Sequence, residues 1–269
     1  MTTARVTAVI VALACTTAVA QPARQPPAKK ADVAQLAAAL VGTDVEAAAK
    51  AADALGDAAA PAAHVALLDA LAFGLPRAVA VPAIDALARH PAPPDVAALV
   101  RYAGHHDPAV RSAVFGALAS YPDPAAHAAI ATGLHDGMGI VRAAAATAAG
   151  RGRVREAIDP MFQLLAKGED AASRALAAMA DPDLARKLAD QLGTVPEPIL
   201  AQCLGLILKR ADFGPDPARV EIVRSIAKIQ DTAAITVLTD YIDSTPKNPV
   251  RPSRHEAEVV VETRLGSGK

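Results

Sequence analysis

Tryptophan is absent from this 269-residue chain, and aromatic residues make up only 3% of it. A wide globular interior needs large side chains to reach native packing density, so that kind of core is excluded. Cysteine is nearly absent too: Cys15 lies near the N-terminus and Cys203 stands alone in the rest. A single thiol builds no disulfide framework. Charge of one sign is also missing, with 27 basic against 28 acidic residues and a net charge of −1. Nucleic-acid binders usually carry a basic excess or face, so no nucleic-acid partner is expected. One short basic run breaks the balance, Gly150-Arg151-Gly152-Arg153-Val154-Arg155. It reads as a solvated turn between helices, with contact to phosphate as the competing reading. No apolar run approaches the roughly 20 residues that a membrane-crossing helix needs, and no strand pattern competes with the helical one.

What the chain has is alanine, which supplies most of its 52% apolar content. Alanine is the strongest helix former, and a core built on it must bring helix backbones close together.

The first twenty residues read as a secretory signal peptide. Arg5 supplies the positive start, Val6 to Ala14 is apolar apart from Thr7, and Ala18-Val19-Ala20 fits small-x-small cleavage between Ala20 and Gln21. Ala12-Leu13-Ala14-Cys15 gives a competing lipobox reading, with a lipid anchor at Cys15. The usual Leu three residues before the Cys is Ala12 here, which favours soluble export to the periplasm or cell exterior. Residues 21–31 read as a disordered Pro-rich linker, 32–265 as the folded domain, and 266–269 as a flexible tail.

Within the domain a repeat is visible. Pro61-Ala62-Ala63-His64 recurs as Pro124-Ala125-Ala126-His127, 63 residues on, and half of that suits one repeat. Ala47, Val79, Val110 and Val141 step by 32, 31 and 31, as do Ala54-Leu55, Ala86-Leu87, Ala117-Leu118 and Ala148-Ala149. These positions fall at i, i+4, i+7 and i+8, one face of a helix. A second apolar set (Val65, Leu68, Leu71; Val96, Leu99, Val100; Ile130, Leu134) supplies a partner helix in each unit. Asp-Pro at 107–108, 123–124, 159–160, 181–182 and 216–217 marks helix starts, with Asp as cap and Pro at the first helical position. Gly42, Gly56, Gly74, Gly104, Gly150, Gly168 and Gly193 mark helix ends. Pro82 predicts a kink or a late start in its helix. From 181 to 216 the period drifts and the helix pairing stays open.

The segments Asp107-Pro108-Ala109-Val110-Arg111-Ser112-Ala113 and Asp136-Gly137-Met138-Gly139-Ile140-Val141-Arg142-Ala143-Ala144 resemble HEAT repeats of the short bacterial type. Ile222 to Asp231 resembles the second helix and turn of such a repeat. The resemblance implies an all-α solenoid of about seven stacked antiparallel helix pairs, an armadillo-type superhelix. It implies structural roles for Asp107, Arg111 and Arg142, the arginines pairing with acids of a neighbouring repeat. It also implies that the second helices line a concave binding side, which puts Asp53, Asp85, Ser112, Gly116 and Thr147 forward as protein-binding positions.

Chemistry is harder to find. His105-His106-Asp107 and His135-Asp136 fall in equivalent loops and could approach one zinc-like ion. Capping by Asp107 and solvated histidines is the plainer reading, so no metal is expected. HEAT-like hydroxylases use paired His-Glu dipeptides, and this chain has only His255-Glu256. HEAT-like bilin lyases share the repeat, and HEAT-like DNA glycosylases need a basic aromatic groove that is missing. Cys203, in an apolar run, reads as buried and inert. His64 and His127 read as packing or edge residues. The expectation is therefore a non-catalytic protein-binding scaffold of the periplasm or cell envelope, with no catalytic residue and no cofactor. A lipid-anchored accessory or assembly factor is the alternative, and a HEAT-like enzyme such as a lyase comes after it.

Overall fold

The computed structural model describes residues 32–266. The expected signal peptide, its Ala20–Gln21 cleavage point, Cys15 and the linker lie outside the described residues, as do 267–269 of the expected tail. No strand occurs among the described residues. The helices follow one another in pairs: α1 (Val33–Leu40) and α2 (Val45–Asp57), α3 (Pro61–Phe73) and α4 (Arg77–Arg89), α5 (Asp95–Tyr102) and α6 (Pro108–Leu118), α7 (Pro124–Gly133) and α8 (Gly139–Gly152). A 3-10 turn (Arg155–Ala157) leads into α9 (Ile158–Ala166) and α10 (Asp170–Met179). Then come α11 (Pro182–Ala189) and α12 (Glu197–Lys209), α13 (Asp216–Ile226) and α14 (Ala233–Ser244), and finally α15 (Pro252–Gly266). That makes seven pairs and a closing helix. The Val259-Val260-Val261 run lies within α15.

The even-numbered helices stack on each other in chain order from α2 to α14. The odd-numbered helices form the second layer, continuous from α1 to the 3-10 turn and again from α11 to α15. Between α9 and α11 that layer barely closes. The even layer has no such break, which settles the pairing left open in the sequence: α11 pairs with α12, and α12 packs between α10 and α14.

One repeat length governs the even layer. Val79, Val110, Val141, Ala172, Cys203 and Ala234 are each 31 residues apart, and all are buried. So are Ala52, Ala83, Val114, Ala145, Leu176, Ile207 and Leu238, at the same step. The step carries back to Ala48, which is buried, whereas Ala47 is exposed. The expected first step of 32 is thus corrected to 31. The stripe assigned to α3 is corrected as well. Val65 is 57% exposed, and Ala63, Leu67, Ala70 and Leu71 face the core.

The helix starts are mostly as the Asp-Pro signals predict. Asp107, Asp123 and Asp181 each accept a backbone N–H of the following helix. Asp159 instead lies inside the first turn of α9, because the 3-10 turn already begins the coil. Asp216 reaches across to Ser253 at the start of α15, taking its N–H at 2.9 Å and its hydroxyl at 2.6 Å. α4 begins at Arg77 and runs through Pro82, so the late start does not occur.

Two of the expected end-marking glycines do different work. A Cβ at Gly56 would lie 2.7 Å from the Ala86 Cβ, and one at Gly150 would lie 3.0 Å from the Ala175 Cα. Both are buried in helices at places where the next even helix comes too close for a side chain.

Candidate functional site

The repeat step identifies one exposed ridge along the even layer. Ala54, Asp85, Gly116, Thr147, Ala178, Lys209 and Asp240 follow one another at 31-residue intervals on successive even helices. Three of the five residues put forward as protein-binding, Asp85, Gly116 and Thr147, are equivalent positions on this ridge. Asp53 and Ser112 lie on the same helices, one place before and four places before the ridge residue of α2 and α6 respectively.

Each of these side chains has a definite local situation. Asp53 is exposed but engaged: Arg89 of the next even helix donates to its carboxylate at 2.6 Å and to its carbonyl at 2.8 Å, and also contacts Asp57 at 3.1 Å. Burial raises the Asp85 carboxyl above its ordinary value against the pull of Arg89, with Asp53 adding to the rise. Ser112 donates back to Pro108 O at 2.9 Å, and Thr147 back to Ala143 O at 2.8 Å. Both hydroxyls are thereby folded onto their own helices, leaving a low, neutral surface. At the far end Lys209 and Asp240 pair at 3.0 Å across α12 and α14.

Gly116 is the telling residue. Glycine inside a helix costs about 0.5–1 kcal/mol relative to alanine, so a packing reason is expected. At Gly56, Gly150 and Gly205 that reason is present, since an added Cβ would meet a neighbouring element at 2.7, 3.0 and 2.3 Å. At Gly116 an added Cβ would meet nothing within 4 Å. Its missing side chain leaves the α6 backbone open to whatever lies on the ridge.

The loop edge carries the arginine ladder. Arg111 grips Asp136 of the next repeat with two hydrogen bonds of 2.8 and 2.9 Å, and donates to His105 O at 2.7 Å. Arg142 repeats the arrangement, donating to Glu169 at 2.8 Å and to Asp136 O at 2.9 Å. Asp107 caps α6. The guanidinium of Arg111 holds the Asp136 carboxyl below the usual carboxylate range. This geometry commits the acids of the would-be zinc loops: Asp136 belongs to Arg111, and His105 accepts the Asp107 N–H at 3.0 Å. Among the described residues no cluster of His, Cys, Asp and Glu is placed to hold a metal. The ladder position is Ser173 in the next repeat, where the ladder stops.

Sequence reasoning missed one polar cluster. Asp95 is fully buried, accepts from Tyr121 Oη at 2.9 Å and from the Ala92 N–H, and meets His64 Nδ1 at 3.3 Å. Burial beside that carboxylate raises the Tyr121 phenol. The cluster ties the α3–α4 pair to the α5–α6 pair. Only the 31-residue spacing of His64 and Asp95 could have revealed it. Cys203 is buried, and desolvation pushes its thiol up to about 12. Glu256 of the lone His-Glu dipeptide pairs with Arg224 at 2.8 Å. No helix among the described residues is long and apolar enough to cross a membrane.

Neither a family model nor a curated relative matches the sequence. Solved structures do. Kap121p bound to Ste12p is 17% identical with a TM-score of 0.52, over 85% of this chain and 28% of that one. The CpcE–CpcF complex of phycocyanin lyase from Nostoc is 19% identical with a TM-score of 0.49, over 91% of this chain and 98% of that one. Human deoxyhypusine hydroxylase is 17% identical with a TM-score of 0.42, over 88% and 97%. A lyase and a hydroxylase thus stand among the neighbours. They correct the expectation of a periplasmic scaffold that performs no chemistry, and with it the expectation that the chain is not an enzyme, because architecture alone does not separate scaffold from catalyst. What the repeat step, the two helix layers, the arginine ladder and these neighbours establish together is that the chain has the fold of a HEAT-type helical repeat solenoid.

Proposed function

We propose that the chain is an accessory or assembly subunit of an enzyme system, and that it holds a polypeptide segment of its partner along the even-layer ridge. The observation that carries this is Gly116, a helix-interior glycine with no packing cause, at the centre of a ridge of small residues. An extended segment lying there reaches the α6 backbone, a use of glycine that a ligand explains and helix packing does not. Asp53, Asp57 and Asp85 around the single Arg89 leave an acid excess at one end, which favours basic side chains in the bound segment. Kap121p, a similar fold seen bound to Ste12p, supports the binding of protein by a solenoid of this kind. Export, with processing after Ala20, belongs to the same reading and rests on the Met1–Ala20 pattern alone. A mature chain beginning at Gln21 is the expected N-terminal sequencing result, and a native chain still starting at Met1 contradicts it.

The test compares two substitutions at one position. Gly116→Ala is expected to fold and retain the partner recovered with the wild-type chain. Gly116→Trp is expected to fold, because the side chain enters open space, and to lose that partner. Equal recovery by wild type and Gly116→Trp would remove the ridge from the account.

A further inference from the structure

The gap in the odd layer between α9 and α11 is a cleft of about 460 Å³. It is bordered by the C-terminal turns of α8, α10 and α12, where the Arg151–Arg155 segment emerges. Ile158, Met179 and Leu184 are among its apolar lining, and Arg153, Arg155, Lys187 and Arg210 line it together with Asp181, Asp183 and Asp212, the polar part being the larger.

These four cations differ in what they already do. Arg210 is fully committed: it donates to Ala177 O at 2.7 Å and Ala180 O at 2.8 Å, closing α10, and grips Asp212 with two bonds of 3.0 and 2.8 Å. Asp212 is thereby neutralised, and its carboxyl is held below the usual range by Arg210. Asp181 is committed to capping α11, and Asp183 pairs with Arg186 at 2.5 Å. The other three cations are held only by long, exposed ion pairs or by none. Arg153 comes only to 3.8 Å from Asp212, and Arg155 only to 3.5 Å from Asp181. Lys187 has no acidic partner among the described residues, and all three side chains are exposed.

The backbone at Arg153 gives a second, independent observation. It closes α8 in the left-handed conformation, φ +50° and ψ +43°. Glycine is the usual residue in that conformation, and a longer side chain there costs on the order of 1 kcal/mol. Gly150 and Gly152 both stand just before it in α8, yet the left-handed position itself is given to an arginine. Strain retained at a cleft is an argument for use.

We propose that this cleft binds a compact oxyanion, a carboxylate or phosphate ester, carried on an apolar body. The under-committed Arg153, Arg155 and Lys187 would meet the anion through charge-assisted hydrogen bonds, and the side chains of Ile158, Met179 and Leu184 would meet the apolar part. This site is separate from the ridge and does not depend on it.

Calorimetric titration of the full chain with phenyl phosphate, benzoate, inorganic phosphate and phenol tests the proposal. Phenyl phosphate or benzoate is expected to bind more tightly than inorganic phosphate, with phenol not binding and affinity falling as salt rises. The tighter of the two aromatic probes identifies the group as phosphate ester or carboxylate. Arg153→Gly should weaken binding about tenfold, the loss of one charge-assisted contact, while leaving the melting temperature unchanged or higher, because glycine relieves the left-handed turn. Lys187→Ala should weaken it several-fold, and Lys50→Ala, on the remote α2, should leave it unchanged. Failure of both aromatic anions to bind, equal binding by phenol, or unchanged affinity in Arg153→Gly and Lys187→Ala would overturn the site.

Discussion

At the scale of the residue, burial and commitment decide which side chains matter. Leu118 is fully buried between the layers, so Leu118→Ala is expected to cost about 2–5 kcal/mol in urea denaturation. Ser112→Ala, six positions earlier on the same helix, only removes a bond to Pro108 O and should be nearly silent. Equal effects at the two positions would mean the helix faces are misassigned. Arg111 and Asp136 are both shielded, with side chains 14% and 15% exposed. Arg111→Ala strands a shielded carboxylate and two loop carbonyls, and should cost about 2–4 kcal/mol. Removing the exposed Lys50 from its i,i+4 pair with Glu46 should cost no more than about 0.5 kcal/mol. The sign of the acid response follows from Arg111. The Asp136 carboxyl ionises at lower pH in the folded chain than in the unfolded one, so the pair's contribution is complete above the ordinary Asp value. It is lost as pH falls below that value toward the depressed one. In Arg111→Ala this part of the acid sensitivity should disappear from the pH dependence of the denaturation midpoint. Cys203, buried with its thiol pushed up to about 12, should react with an aromatic disulfide reagent only at the rate of unfolding; rapid labelling of the native chain would contradict its placement.

Among elements, glycine and spacing decide how closely the helices pack. Gly116→Ala should raise stability by about 0.5–1 kcal/mol, the helix-propensity gain at a position with room for a Cβ. Gly56→Ala should lower it, since the new Cβ would collide with Ala86 and Arg89. Thermal melts of the two variants should therefore move in opposite directions. The same elements show what could be read beforehand. Helix count and most boundaries were legible because apolar positions recur at a fixed period and Asp-Pro pairs punctuate several helix starts. The face of α3 was not, because PAAHVALLDALAF is apolar nearly all round and its periodicity cannot choose Leu67 over Val65. Repeat one lacks the valine that marks the next three repeats, and this is why Ala47 stood in for Ala48. The even layer keeps its 31-residue step through 181–216. The apparent drift there came from the odd layer, which does not close between α9 and α11 and so leaves the cleft. Of the ridge, Asp85, Gly116 and Thr147 were legible as repeat equivalents. The engagement of Asp53 by Arg89, 36 residues away, was not, since long-range pairing depends on how helices cross.

For the whole molecule, stability is a sum of neighbouring repeats, and the surface is a set of parallel lines. One line, the loop edge, is taken up by the arginine ladder. Another, the even-layer ridge, has small residues at its centre and charge at its ends. Asp53→Lys combined with Asp85→Lys reverses the acid end. The double variant is expected to stay folded, because neither side chain belongs to the buried core even though Asp53 pairs with Arg89 and Asp85 is partly shielded, and to lose a partner segment bearing basic side chains. If it folds and the partner is retained, the ridge's charge plays no part in recognition. The central claim, that the ridge is where a partner polypeptide lies, is tested most directly by site-specific photocrosslinking in the native cell. A photoreactive residue would be placed at Ser112, beside Gly116, and separately at Gln163, an exposed position on the odd-layer helix α9. The account predicts a discrete protein adduct from position 112 and none from 163. An adduct from 163 alone, or the same adducts from both positions, would contradict it.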